Sequence, residues 1–454
     1  MRDTEFCIVG AGPAGLTLAY RLGGAGRKVL VIERDGRIGG LAKSFTFGDH
    51  IFDIGPKRFH TEDPIVLDFL SEIAGDSLST IGRSTKVYFT DRFFNWPLRP
   101  KDLVLLPPSL AMKCFVDLVA RKPATNKDSF EEEIKAKYGV TLYESFFAPY
   151  TEKFLGMNPS LVHSDWAMAG INRSIVDSSV KVNSLLQVIS SLVLPRSQKA
   201  DFLYPTKGGF GGFWETLASL CRSQPTTTIQ CSSRIVEISR QRGRLLCTLS
   251  SGEQFMCSKL IWSGNVNDLL KSTSQPSQEA TVQYLNTALF FITAEGNPSS
   301  RRAQWIYISD PKKIVSRVTC TKEFAKYVAP PGEFGLCCEV TINPSTSRVE
   351  YTAAEREEEV VANVRELGFL TRGNRIKAIH HHLQPDTYPI YHRNYLSHFN
   401  QVRKLIKSSY PEISLLGRTG AFWYNNSDHS IRMALNMAEH LLHRGKELDY
   451  RSYF

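Results

Sequence analysis

The chain carries Gly10-Ala11-Gly12-Pro13-Ala14-Gly15 close to its start, and the spacing gives each glycine a separate physical task. Gly10 permits a tight turn, Gly12 leaves bare backbone for a pyrophosphate to approach, and Gly15 lets a helix pack closely on a sheet. Ala14 falls in the first turn of that helix, whose N-terminus offers partial positive charge to phosphate. Glu33 follows about twenty residues on, where a carboxylate accepts hydrogen bonds from a ribose diol and disfavours a 2′-phosphate. These groups need a strand, a turn, a helix and a second strand to hold them. The sequence supplies the apolar run Phe6 to Val9, the glycine turn, the helix-like LTLAYRLGGAG and the apolar run Val29 to Ile32. The unit predicts dinucleotide binding on a Rossmann-type α/β fold.

A second glycine pair comes soon after. Beyond Arg34 stands Arg37-Ile38-Gly39-Gly40-Leu41, whose bare backbone can lie against the flavin end of an extended FAD, selecting FAD over NAD. The ERDGRIGGLAKSF arrangement resembles the amine oxidase and protoporphyrinogen oxidase superfamily of flavoproteins. That resemblance implies a discontinuous, glutathione-reductase-like FAD domain to which the chain returns twice. The first return is expected at about Thr227 to Trp262, where the resemblance puts the backbone of Val236 against the adenine; a plain hairpin with Val236 in the core is the alternative. The second is LLGRTGAFWYNNSDHSIRMALNMAEHLL, an apolar strand, a turn and a helix. There Arg418 offers a fixed charge to a pyrophosphate oxygen, and Asp428 or Ser430 caps the helix. His429, between them, and Gly55, in DIGPKRFH, are assigned to the cofactor side as well.

The totals bound the rest. At 454 residues, 42% hydrophobic and 22% charged, the chain reads as a folded globular protein of two intertwined domains. The expected division is 1–95, 201–265 and 401–454 for the FAD domain, 96–200 for an inserted helical lobe and 266–400 for a mixed β-sheet substrate domain. A net charge of +10 favours anionic partners, but with no basic run a nucleic-acid surface is not expected and a small-molecule diphosphate fits as well. The nine cysteines occur singly except for Cys337-Cys338, which reads as reduced thiols in a cytoplasmic protein. EFCIVG begins almost at once, leaving no room for a signal sequence, and no apolar run reaches the roughly 18 residues of a membrane helix. His380-His381-His382 alternates faces on a strand and is not expected to hold a metal. The Gly208 to Gly212 loop is a candidate for close approach to the flavin or a sugar.

Segments along most of the chain resemble the UDP-galactopyranose mutases, especially the eukaryotic type: HIFDIGPKRFH, FFAPYTEKFLGMNPSLVHSDWA, FLYPTKGGFGGFWETLA, QWIYISDPKKIVSRVT, PDTYPIYHRNY and GRTGAFWYNNSDHS. The resemblance implies that Tyr307, Arg317, Tyr388 and Tyr424 hold a substrate diphosphate. It also implies a nucleotide-sugar substrate and chemistry at flavin N5, as a pyranose–furanose mutase or as sugar redox, with NAD(P)H a candidate external reductant. One departure stands at Pro56-Lys57, where the mutases usually carry glycine and histidine. Lys57, with Arg317 and Tyr388, is expected at the reacting centre. An arginine that the mutases supply from the helical lobe has only an out-of-register counterpart, Arg173. Two alternatives stay open: an amine or porphyrinogen oxidase, and a flavin-binding protein without catalysis.

Overall fold

The computed structural model describes residues 2–96, 105–120, 122–167, 201–275, 281–297, 303–346 and 353–443. Arg173 and the Leu/Val-rich stretch near 184–194 lie outside the described residues.

The run Phe6 to Val9 forms the middle of a strand, Arg2–Val9, flanked in parallel by Val29–Ile32 and by Gln254–Trp262. All four residues of Val29–Ile32 are buried, as an apolar strand covered on both faces should be. Thr227–Gln230 extends the sheet in parallel beyond it. On the other side Arg244–Leu249 and Ile235–Gln241 continue it antiparallel, and Ile413–Leu415 pairs in parallel with the end of Gln254–Trp262. Three separated stretches of chain thus build one sheet. Helix Pro13–Gly24 covers it through Leu16, Leu18, Ala19 and Leu22, joined by Trp214 and Leu217 of helix Gly211–Ser223 and by Ile431 and Met437 of helix Ser427–His443.

A second sheet runs Ile376–Pro389, Tyr284–Glu295, Glu333–Ile342, Arg317–Cys320, Trp305–Ile308, Thr85–Phe89, Arg92–Asn95. The boundary expected at residue 95 changes here. Thr85–Phe89 lies parallel to Trp305–Ile308, so residues 85–95 sit in this sheet and not in the first. Val87 and Phe94 give the reason, since both are buried against the helical segment that contains Phe146 and Phe154. Strand Asp201–Pro205 likewise pairs with Leu78–Gly82, away from the first sheet.

Three amides of the Gly208 to Gly212 loop bond within the fold: Phe210 N–H donates to Asp53 Oδ1 at 3.0 Å, Gly211 N–H to Ser44 Oγ at 2.7 Å and Gly209 N–H to the Tyr327 hydroxyl at 3.2 Å. His380 stacks on Phe47 and His382 packs at a tilt on Phe45, whereas His381 packs on Phe290 from the opposite face.

Candidate active site

A cleft opens at the carboxyl ends of the parallel strands. Gly10 (φ +100°) makes the turn, and a Cβ there would lie 2.4 Å from Ser263 Oγ. A Cβ on Gly15 would lie 1.9 Å from the Gly10 carbonyl oxygen, so helix and strand can approach this closely only without one. No side chain caps the helix at Gly12, which leaves the first-turn N–H groups for a ligand. Glu33 accepts from Ala11 N–H at 2.7 Å and Asp35 N–H at 2.9 Å; burial raises its carboxyl, and those two bonds oppose the rise. Bare backbone at the Gly12–Gly40 contact, an open helix N-terminus and a carboxylate at the far strand end fit the diphosphate and ribose of FAD.

Gly10, Gly12, Ala14, Glu33, Arg34, Gly40, Leu41, Lys57, Arg418 and Ser430 all line this cleft. Gly15 and Gly39 stand behind it, the latter donating its N–H to the Ala11 carbonyl at 2.8 Å. Several expectations are corrected. The Val236 side chain is 43% exposed, because the register shifts between Ile235 and Glu237 and turns it outward, which overturns the alternative of a core valine; Ser233 and Arg234, just before it, line the cleft. Neither Asp428 nor Ser430 caps the last helix, which begins at Ser427. The Ser430 hydroxyl donates to Asn425 Oδ1 at 3.1 Å. Asp428 and His429 do not line the cleft; His429 Nδ1 accepts from Asn426 N–H at 3.3 Å. Arg418 reaches the cleft, but its guanidinium donates to the carbonyls of Asn425 and Thr387.

Beside the cleft, next to Arg418, the second sheet contributes a chamber of tyrosine and charged side chains that do not themselves line the cleft. Register alone puts Tyr307 opposite Arg317 and Arg317 opposite Glu339 across three antiparallel strands. Arg317 and Glu339 form a buried two-point ion pair, Nε to Oε1 at 2.6 Å and Nη2 to Oε2 at 2.5 Å. Arg317 Nη2 also donates to the Tyr388 hydroxyl at 3.1 Å. Tyr388 meets Tyr424 edge to face at 5.1 Å, and the Arg418 guanidinium lies over both rings at 5.2 and 4.9 Å. The four residues singled out from the sequence are thus brought together. Arg317 differs from expectation in one respect: its charge is already matched by Glu339.

Lys57 faces the cleft with no hydrogen bond or ion pair among the described residues. Burial, then the neighbouring Arg418 and Arg317, bring its ammonium down to about 7, with Glu339 partly offsetting them. Gly55 (φ +68°) is required here for packing, since a Cβ would lie 2.5 Å from Glu339 Oε1. The sequence reading missed Glu339, Tyr150 and Arg58. Glu339 was visible as the lone acid within the apolar strand FGLCCEVTI, and Tyr150 belongs to PYTEKFLG. Tyr150 meets Tyr307 edge to face at 6.3 Å; burial, then Tyr307, raises its hydroxyl well above the usual range. It also missed the turn Ser263-Gly264-Asn265 after an apolar strand, which lines the cleft where strand ends commonly bind ligands.

A glycine cradle under one helix, a second helix N-terminus beside it and a charged, tyrosine-walled chamber beyond define a flavin-dependent enzyme. The chain belongs to the family described as flavin containing amine oxidoreductase, whose family model matches residues 13–423. Among curated relatives, a protein named "Probable UDP-galactopyranose mutase" from Klebsiella pneumoniae is 30% identical over 172 residues, 35% of this chain and 43% of that one. An L-amino-acid oxidase from Crotalus adamanteus is 42% identical over 65 residues, 14% of this chain and 13% of the oxidase. The chain therefore spans less than half the length of either relative in these matches. The crystal structure of a reduced UDP-galactopyranose mutase superposes with a TM-score of 0.84 at 22% identity, covering 98% of this chain and 96% of that one, which is a likeness of fold.

Proposed function

We propose that this enzyme acts on a nucleoside-diphosphate sugar at flavin N5, either interconverting pyranose and furanose forms or carrying out sugar redox. The convergence of Tyr307, Arg317, Tyr388 and Tyr424 beside the cleft, next to Arg418, carries this reading. Bound FAD supplies a nitrogen that exchanges hydride, or a bonding electron pair, with a carbon centre. The chain's own residues position the substrate. Tyrosine hydroxyls donate to phosphate oxygens without adding charge, and Arg317, fixed through Nε and Nη2, keeps Nη1 for an anion. Lys57 Nζ holds or releases a proton near neutral pH beside the reacting end. On this reading the first sheet with its helices is a glutathione-reductase-like cofactor domain, and the second sheet with helices Pro108–Ala120, Phe130–Tyr138 and Ala148–Leu155 is the substrate side.

The test is to purify the protein with FAD, reduce it anaerobically with dithionite or NAD(P)H, and incubate it with a panel of nucleotide sugars. Ring-contracted product from the reduced enzyme identifies a mutase, and flavin reduction by a nucleotide sugar identifies a dehydrogenase. If amines or L-amino acids reduce the flavin while no nucleoside diphosphate perturbs its spectrum, the nucleotide-sugar reading fails.

A further inference from the structure

Arg58 is a cation that the arrangement above leaves unused. Its guanidinium lies over the rings of Phe202 and Trp305 at 5.1 and 5.0 Å, which holds it in place without a hydrogen bond. Nε is buried with no acceptor, and no carboxylate forms an ion pair with Arg58 among the described residues. Trp305 and Tyr307 are two apart on one strand and so share a face, and Tyr307 is the register partner of Arg317. Arg58 therefore stands over the same face of the sheet as the chamber, one residue pair along from Arg317. Tyr307, Asp428, Arg317 and Tyr424 are the charged and titratable groups felt most strongly there. Asp428 Oδ1 is buried and unpartnered too, so it leaves the surplus charge only partly offset.

Leaving a partly buried guanidinium, its Nε fully covered, without acceptors is costly, and an anionic ligand is the ordinary way to recover that cost. Arg317 cannot serve with its full charge, because Glu339 already neutralises it. We infer that Arg58 is the anion-binding residue of the chamber, taking a phosphate oxygen of the substrate diphosphate through its guanidinium while Tyr307 and Arg317 Nη1 complete the site. The inference rests on the reading of the chamber as a diphosphate site. It adds which residue supplies the unneutralised charge.

Two probes, UDP and inorganic pyrophosphate, are titrated into FAD-loaded wild type, Arg58→Gln and Arg58→Lys, with binding followed by flavin absorbance and by tryptophan fluorescence. The expected result is that Arg58→Gln weakens both probes by about tenfold or more and Arg58→Lys by less, with FAD content and melting temperature held. Binding by Arg58→Gln within about twofold of wild type overturns the inference. So does a wild type that binds neither probe. Arg58-dependent binding of pyrophosphate without binding of UDP removes the nucleotide reading and leaves the role of Arg58 standing. If Arg58→Gln does not fold, Trp305→Phe decides: an anion engaging Arg58 alters Trp305 emission, so an unchanged fluorescence response in Trp305→Phe overturns the inference.

Discussion

At the scale of single residues, Lys57 is the group most open to experiment. A lysine whose folded-state pKa is depressed to about 7 sheds a proton that the unfolded chain keeps. Lys57 therefore costs stability below that pH, and the cost falls away as pH rises toward the ordinary lysine range. An incoming dianion reverses the shift by favouring the ammonium. Binding of UDP to the holoprotein at about pH 8 should then take up a proton, approaching one per site and fading as pH falls below about 7. Calorimetry in two buffers of different ionisation enthalpy measures this, and Lys57→Met should abolish the buffer dependence. A wild type with no buffer dependence would exclude Lys57 as the proton-holding group. At this scale the sequence was legible where a residue's type and its motif agreed on its place, as for Gly10 at the turn and Glu33 at the end of the second strand. Glu339 was not, because its meaning comes from standing opposite Arg317 across a strand pair, a register that no local pattern encodes.

Elements were legible where periodicity and turn chemistry coincided, as in Arg2–Val9, Pro13–Gly24 and Val29–Ile32. They were not where a long-range partner decided the outcome. Residues 85–95 alternate like any half-buried hairpin, and only their pairing with Trp305–Ile308 assigns them to the second sheet. The exposure of Val236 was not legible either, because a single bulge turns its side chain outward without leaving a mark on composition. The glycine turn allows a sharper statement, because its two glycines serve different masters. A Cβ on Gly15 would meet the Gly10 carbonyl at 1.9 Å, whereas one on Gly12 would find nothing nearer than Gly40 Cα at 3.8 Å. Gly15→Ala should therefore destabilise even the FAD-free protein, by about 3 kcal/mol. Gly12→Ala should fold normally, within about 0.5 kcal/mol of wild type in urea unfolding, yet emerge with a reduced flavin-to-protein ratio. Equal flavin content in Gly12→Ala and wild type would count against the turn as the pyrophosphate site.

At the scale of the whole molecule, the cleft is walled by both sheets. Gly10 to Ala14 come from the first, while Gln384, Pro385 and Asp386 come from a register shift near the end of Ile376–Pro389 in the second. Asp386 adopts φ +55°, an uncommon conformation for a residue with a side chain, and binds Arg34 at 3.3 Å and Asn265 Nδ2 at 2.9 Å. The two sheets thus meet through a strained residue and two polar contacts beside the cofactor cleft. A ligand filling that cleft must hold segments more than 370 residues apart in sequence, and binding to the folded state alone stabilises by mass action. FAD at about 100 times its Kd should therefore slow amide exchange about 100-fold at Leu16 and Leu18 and at Thr387 and Tyr388 together. Exchange followed by mass spectrometry on FAD-free and FAD-loaded protein reads both segments in one experiment. Protection confined to the amino-terminal segment would mean that the cofactor engages the first sheet alone, and the chamber of Tyr307, Arg317 and Tyr388 would then lie beyond the reach of the flavin.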